Sequence, residues 1–220
     1  SLIMEDVLAD VLEQWYETVE PEFLAFADDY ASAKNDTNLV QMVRRLYDYS
    51  TSYPWPEEWL EQITEIYEPQ ALTSEVLADP KSWLQELMCY LHAVIGGERD
   101  RLRLAKRLCL EPDGPDMYLD NIERLLEQLD GVDEITDYDE LGLAIAKIDF
   151  GRLAVRRGFD GDKAAQELVK SLRSAVKDEL QKLYKKYFSQ PLSAQLEDLV
   201  YTGKSVRVLS RLTLDFAHAY

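Results

Sequence analysis

Residues 164–187, AAQELVKSLRSAVKDELQKLYKKY, place apolar side chains at Leu168, Leu172, Val176, Leu180, Leu183 and Tyr187. Spacings of three and four residues set these on one stripe of an amphipathic α-helix of about six turns. The rest of the chain repeats the same period.

Upstream, Leu8, Val11, Leu12, Trp15 and Val19 form a stripe that ends before Pro21. Phe23, Leu24, Phe26, Ala27 and Tyr30 predict a short helix. Leu39, Val43, Leu46 and Tyr47 predict another, with Asp36 or Thr37 in the capping position. In YDYSTSYPWPEEW, residues 47–59, Pro54 and Pro56 lack amide protons and push Tyr53 and Trp55 out of the helical region, so the chain turns. Pro56 then suits the first turn of a new helix, with Glu57 and Glu58 at the positive end of its dipole and Trp59, Ile63, Ile66 and Tyr67 on one face. Tyr47, Tyr49, Tyr53, Trp55 and Trp59 are expected to knit this corner together.

Beyond Pro80 the apolar pattern runs from Trp83 through Leu91 to Val94, meets Gly96 and Gly97, where a kink or an end is expected, and resumes from Leu102 to Leu108. Leu119, Ile122, Leu125, Leu126 and Leu129 predict a helix stopping at Asp130 and Gly131, and Leu141, Ala144, Ile145 and Ile148 one more. GFDGD at 158–162 reads as a flexible loop, and two helices, around 192–200 and 206–216, finish the chain. No segment alternates with β-branched enrichment. The expected fold is all-α, an irregular bundle of about eight to ten helices, taken as a single all-helical domain over residues 1–220.

Composition limits the partners. The chain is 46% hydrophobic and 30% charged, with 24 Lys plus Arg against 42 Asp plus Glu and a net charge of −18. Such an average repels nucleic acid and anionic membranes, but it hides a division. Residues 1–80 hold 3 basic and 18 acidic groups and 111–149 hold 2 and 13, whereas 150–220 hold 13 basic against 8 acidic. No leader pattern opens the chain and no apolar run approaches a membrane span. With only Cys89 and Cys109, a reducing cytoplasmic setting is expected and no structural zinc spacing exists.

Chemistry-bearing motifs are sparse. There is no phosphate-cradling glycine–lysine loop, no dinucleotide fingerprint and no hydrolase elbow. Cys89 and His92 share a helical face, but a catalytic pair needs an orienting third group and an oxyanion donor; core packing is the expectation for both. The carboxylates Asp130, Asp133, Glu134, Asp137, Asp139 and Glu140 do not follow the order of a calcium loop, because Ile135 stands where that loop needs glycine. They read as a solvated acidic loop.

The basic residues carry the most functional content. Lys170, Arg173 and Lys177 flank the stripe of the 164–187 helix, Lys182, Lys185 and Lys186 continue to its end, and Arg152, Arg156 and Arg157 lie just upstream. These nine form the candidate DNA-binding set, able to follow a phosphate backbone; a solvated face answering the helix dipole is the competing account. Arg99, Arg101, Arg103, Lys106 and Arg107 form a further basic group.

Three stretches carry a resemblance: FLAFADDY with LVQMVRRLYDYSTSYPWPEEWL within 23–60, AKIDFGRL at 146–153 and KSLRSAVKDELQKLYKKYF at 170–188. In this order they resemble the helical insertion of the A-subunit of AddAB-type ATP-dependent helicase/nucleases, UvrD-like superfamily 1 enzymes. The likeness runs from the first helix to RLTLDFAHAY at 211–220 and is weak over about 81–140. The resemblance implies a 1B insertion of the first motor domain that touches duplex DNA ahead of the fork, in an enzyme that unwinds and resects broken DNA for recombination. ATP and Mg would bind elsewhere in the parent, whose lysine loop lies upstream and Asp-Glu motif downstream, and the fragment itself would hold no cofactor and no catalytic residue. Implied partners are DNA, the helicase/nuclease B-subunit and other domains of the same polypeptide, and the end inside a helical run at Tyr220 is the expectation for an excised piece. The reading from a different class is a freestanding acidic helical scaffold that binds proteins through an aromatic groove near Trp55 and Trp59.

Overall fold

Apolar spacing is translated into ten α-helices among the described residues, which in this computed structural model are 2–31 and 35–220. They are α1 (Leu2–Thr18), α2 (Pro21–Tyr30), α3 (Thr37–Ser50), α4 (Pro56–Gln62), α5 (Ser74–Leu77), α6 (Trp83–Leu110), α7 (Leu119–Asp130), α8 (Tyr138–Ala146), α9 (Lys163–Tyr187) and α10 (Leu192–Ala219). Three short 3-10 turns complete the set and no strand forms among these residues, so the fold is all-α. None of these helices is long and apolar enough to cross a membrane. The chain packs as two compact units, Ser1–Leu77 with Gln195–Tyr220, and Ala78–Ala194.

In the first unit, Leu8, Val11, Leu12 and Trp15 of α1 meet Phe23 and Phe26 of α2, Leu39 and Val43 of α3, and Val208, Leu212 and Phe216 of α10. Trp15 also donates its indole N–H to the Asp215 carboxylate at 2.8 Å, satisfying the polar end of a buried ring. Gly203 lets α10 pass close to the 3-10 turn at Glu65–Tyr67, since a Cβ there would lie 2.6 Å from that of Tyr67. The Asp36 carboxylate accepts the Tyr16 hydroxyl at 2.9 Å and makes no cap to α3. Burial, helped by that bond, pushes the Tyr16 phenol up to about 12.

In the second unit the 28-residue α6 packs against α7 and α9, and α8 packs on α9. Leu91, Ile95 and Leu102 of α6, Ile122 and Leu125 of α7, Leu141 of α8 and Val176 of α9 have no exposed surface. Helices α6, α8 and α9 begin at side-chain caps: the Ser82 hydroxyl accepts the Gln85 N–H, Asp137 the Glu140 N–H, and Asp162 the N–H groups of Ala164 and Ala165.

Several expectations are corrected. Gly96 and Gly97 neither end nor split α6, and a Cβ at Gly97 would meet open space; a glycine pair weakens helix propensity, but packing overrides it. The two terminal helices are one, α10. On α9 the buried stripe runs through Ala165, Val169, Val176, Leu180 and Leu183, leaving Leu168 45% exposed. Helix α4 stops at Gln62 with Leu60 as its buried residue, and Ile66 is exposed. The GFDGD loop, read as flexible, ends where Asp162 donates its N–H to the Asp113 carbonyl at 2.7 Å. Cys89 is exposed and Cys109 buried, where desolvation lifts its thiol to about 11. His92 is half-buried and donates from Nε2 to the Ile135 carbonyl at 2.9 Å.

Val19 lies just past the end of α1 with φ +52°, in the left-handed region, and is 63% exposed. A β-branched side chain is strained there and packs against little. Val19→Gly should therefore raise stability by about 1 kcal/mol in a denaturant titration.

Glu98 is buried on α6 and bonded to Arg101 at 3.0 Å. Burial raises its carboxyl pKa against the opposing pull of Arg101. The folded state then favours the protonated acid, so stability is full below the unfolded pKa, is lost as the pH rises through the raised folded pKa, and is regained on acidification. Glu98→Gln should raise Tm at about pH 8, with the gain narrowing toward about pH 5.

Candidate nucleic-acid interface

The connection from α8 to α9, residues 147–162, has no regular structure but is held firmly at its first turn. Asn121, an amide buried on α7, donates to the Phe150 carbonyl at 2.8 Å and accepts from Arg173 Nε at the same distance. Arg173 Nη2 donates to the carbonyls of Phe150 and Gly151 at 2.6 and 2.9 Å, and its guanidinium lies 5.6 Å from the Phe150 ring centroid. Gln128 of α7 receives the Asp149 N–H at 2.8 Å, and Asp149 Oδ1 receives that of Gly151. Gly151 has φ +58°, and a Cβ there would collide with the Arg124 guanidinium. Between this loop, the end of α8 and α9 lies a cavity of about 560 Å³ lined by Ile148, Asp149, Phe150, Lys177, Gln181 and Tyr184.

Burial lowers the pKa of Arg173, with nearby Arg124 adding to the effect and Asp149 opposing it. A guanidinium still keeps its charge at neutral pH. Its Nε and Nη2 donors are engaged by the Asn121 amide oxygen and two carbonyls, which makes it a clamp for the loop.

The other candidates divide by whether a partner already holds them. Arg156 forms a two-pronged pair with Asp116 at 2.6 and 3.1 Å, which holds that carboxyl below its ordinary pKa. Lys170 bonds Glu167 at 2.7 Å, an interaction that raises the lysine pKa, and Lys182 lies 3.5 Å from Glu179. Lys186 sits 4.7 Å from the Tyr187 ring centroid. Arg152, Arg157, Lys177 and Lys185 are exposed and make no ion pair or side-chain hydrogen bond among the described residues.

Helical geometry separates them further. At about 100° per residue, Lys170, Arg173 and Lys177 fall within about 60° on one flank of the buried stripe, while Lys182, Lys185 and Lys186 spread across the outward face to the other flank. The second basic group is mostly neutralised: Arg99 pairs with Asp130 and Asp133, Arg101 with Glu98, Arg103 with Asp100 and Lys106 with Glu123. The acidic loop is engaged as well, since Asp137 caps α8 and Asp139 accepts the Leu192 N–H at 2.9 Å. Among the described residues no group of three His, Cys, Asp or Glu side chains is placed to hold a metal.

No family model matches the chain. It is 34% identical to the A-subunit of an ATP-dependent helicase/nuclease from Lachnoclostridium phytofermentans, over 98% of its own length and 16% of that protein's. This chain is similar, end to end, to one segment of the ATP-dependent helicase/nuclease A-subunit. The Moorella thermoacetica protein of that name is 32% identical over 98% of the chain and 15% of its own length, and the Geobacillus kaustophilus one 31% over 99% and 18%. The chain thus spans less than a fifth of these helicase/nuclease relatives, and the similarity takes in both compact units.

Asn121, Gln128 and Gly151 were missed by sequence reasoning. Asn121 had a signal, as a polar residue between Leu119 and Ile122 on an apolar face; Gln128 had none. Arg173→Ala should cost about 1–3 kcal/mol by stranding the Asn121 amide oxygen and removing one of the two donors to the Phe150 carbonyl. Arg173→Lys should not restore it, because an ammonium lacks the planar fork; urea denaturation of both variants checks this.

Proposed function

We propose that this chain is the helical 1B-like insertion in the first motor domain of an ATP-dependent helicase/nuclease A-subunit, both compact units together forming the inserted domain. The observation that carries the reading is the end-to-end similarity to a segment that makes up only 15–18% of the helicase/nuclease proteins it matches. In this reading ATP and Mg act elsewhere in the parent, which works in the cytoplasm with the helicase/nuclease B-subunit on broken DNA during repair and recombination. The chain itself has no catalytic role and guides duplex DNA near the fork.

The DNA track is assigned first to the exposed cations that no acid neutralises among the described residues. Arg152 and Arg157 extend from the clamped loop and Lys177 and Lys185 from α9, while Lys170, Lys182 and Lys186 join by leaving single surface contacts, as exposed pairs readily do, and Arg156 joins by giving up its two-pronged hold on Asp116. Arg173 positions the loop that carries Arg152. The cluster lies in the second unit, whose 18 basic and 22 acidic groups leave only −4, against −14 from 6 and 20 in the first.

Fluorescence anisotropy of a labelled duplex with a single-stranded tail, titrated at several salt concentrations, tests this. Affinity should fall as salt rises, and a triple variant Arg152→Glu, Lys177→Glu, Lys185→Glu should bind at least about tenfold more weakly with a shallower salt slope. No binding at low salt, or a triple variant that binds like the parent, overturns the DNA track. ATP hydrolysis by the isolated chain would overturn the non-catalytic assignment.

A further inference from the structure

The helix corner between α3 and α4 is built differently from its sequence expectation. Tyr47 leaves it to pack on Phe216 and Tyr220, with ring centroids 5.1 and 6.1 Å apart. Tyr53 stacks on Trp59 at 4.6 Å with an interplanar angle of 15°. Tyr49 tilts against both at 5.7 and 5.4 Å, its hydroxyl 3.2 Å from that of Tyr53. Trp55 meets no other ring among the described residues and is 66% exposed, and Tyr49 is 56% exposed.

This is a large aromatic surface left in water, and solvent-facing tryptophan of this kind marks an interaction site more than a packing need. Its surroundings restrict the occupant. From residue 46 to residue 80 the sequence has no Lys or Arg and eight Asp or Glu. Asp48, Glu57, Glu58 and Glu61, each within two residues of one of these rings in sequence, are exposed. Arg44 reaches only to 4.0 Å from Asp48, His218 lies 3.5 Å from Glu57, and Glu58 and Glu61 have no side-chain partner among the described residues. Nucleic acid and acidic lipid are repelled by such a rim. A guanidinium or ammonium suits it twice over, lying on the electron-rich ring faces and pairing with the carboxylates.

We infer that the Tyr49, Tyr53, Trp55 and Trp59 corner, with Glu58 and Glu61 at its rim, docks an extended segment of a partner protein that carries spaced arginines. This surface lies in the first unit and is independent of the DNA reading. A tilted pair of tyrosines beside a stacked tyrosine–tryptophan pair offers more than one ring face, so a cation at every second or third position can be met. Binding rests on charge and cation–π contact together, which distinguishes it from attraction to the acidic first unit in general.

The test uses the whole chain and a labelled octapeptide of alternating arginine and glycine, followed by anisotropy, beside a citrulline–glycine peptide of the same shape without charge. Saturable binding of the arginine peptide is expected, with none of the citrulline one. Trp55→Ala should weaken it by about fivefold, the ~1 kcal/mol of one cation–π contact. The double variant Glu58→Gln, Glu61→Gln should weaken it similarly, with the fold intact by circular dichroism, whereas Glu13→Gln, Glu17→Gln on α1 should not. Equal losses from both acid pairs would reduce the effect to general electrostatics and overturn the site. So would unaltered binding in Trp55→Ala, no saturable binding, or a Trp55-dependent dimer that excludes the peptide.

Discussion

One guanidinium decides the course of a long connection. The sixteen residues from 147 to 162 make no ladder or helix, so their backbone groups must find partners one by one, and Arg173 with Asn121 satisfies the carbonyls of Phe150 and Gly151. The charge is tolerated inside the unit because carbonyl oxygens face it and the Phe150 ring covers it. Everything that leaves this loop, including Arg152 and the approach to Asp116, takes its direction from that clamp.

The distribution of charge follows the same logic of partners. A count of basic residues in the last third suggests one broad cationic surface, but a side chain already bonded offers less to a ligand than one that is free. Of the nine candidates, Arg173 serves the fold, Arg156, Lys170 and Lys182 rest on acids, Lys186 rests on a tyrosine ring, and four have no side-chain partner among the described residues. The acidic side is sorted in the same way, with Asp137 and Asp139 bound to backbone N–H groups while Glu58 and Glu61 have no side-chain partner among the described residues.

The helical class and most helix positions were legible because a buried stripe leaves a period of 3.6 in the sequence whatever its neighbours are. Element ends were less so. Gly96 and Gly97 looked like an interruption, yet the apolar residues on either side of them join one continuous face of α6. Val19 looked like part of a stripe and instead takes a left-handed turn, since no spacing rule encodes where the chain must change direction to bring α2 onto α1. The site was half legible. Basic residues can be counted, but pairing across 52 positions, as between Asn121 and Arg173, depends on the packing of α7 and α9. The corner showed its composition plainly and hid that Tyr47 belongs to the core while Trp55 does not.

The two thiols of α6 have a practical meaning. Twenty residues apart on one straight element, they stand about 30 Å from each other, far beyond the roughly 7 Å that a disulfide can bridge. Cys109, buried and held as a thiol, is inert to reagents that attack thiolates, while Cys89 faces water. The unaltered chain therefore comes with a single addressable position for a dye or spin label, fixed on the longest rigid rod of the second unit.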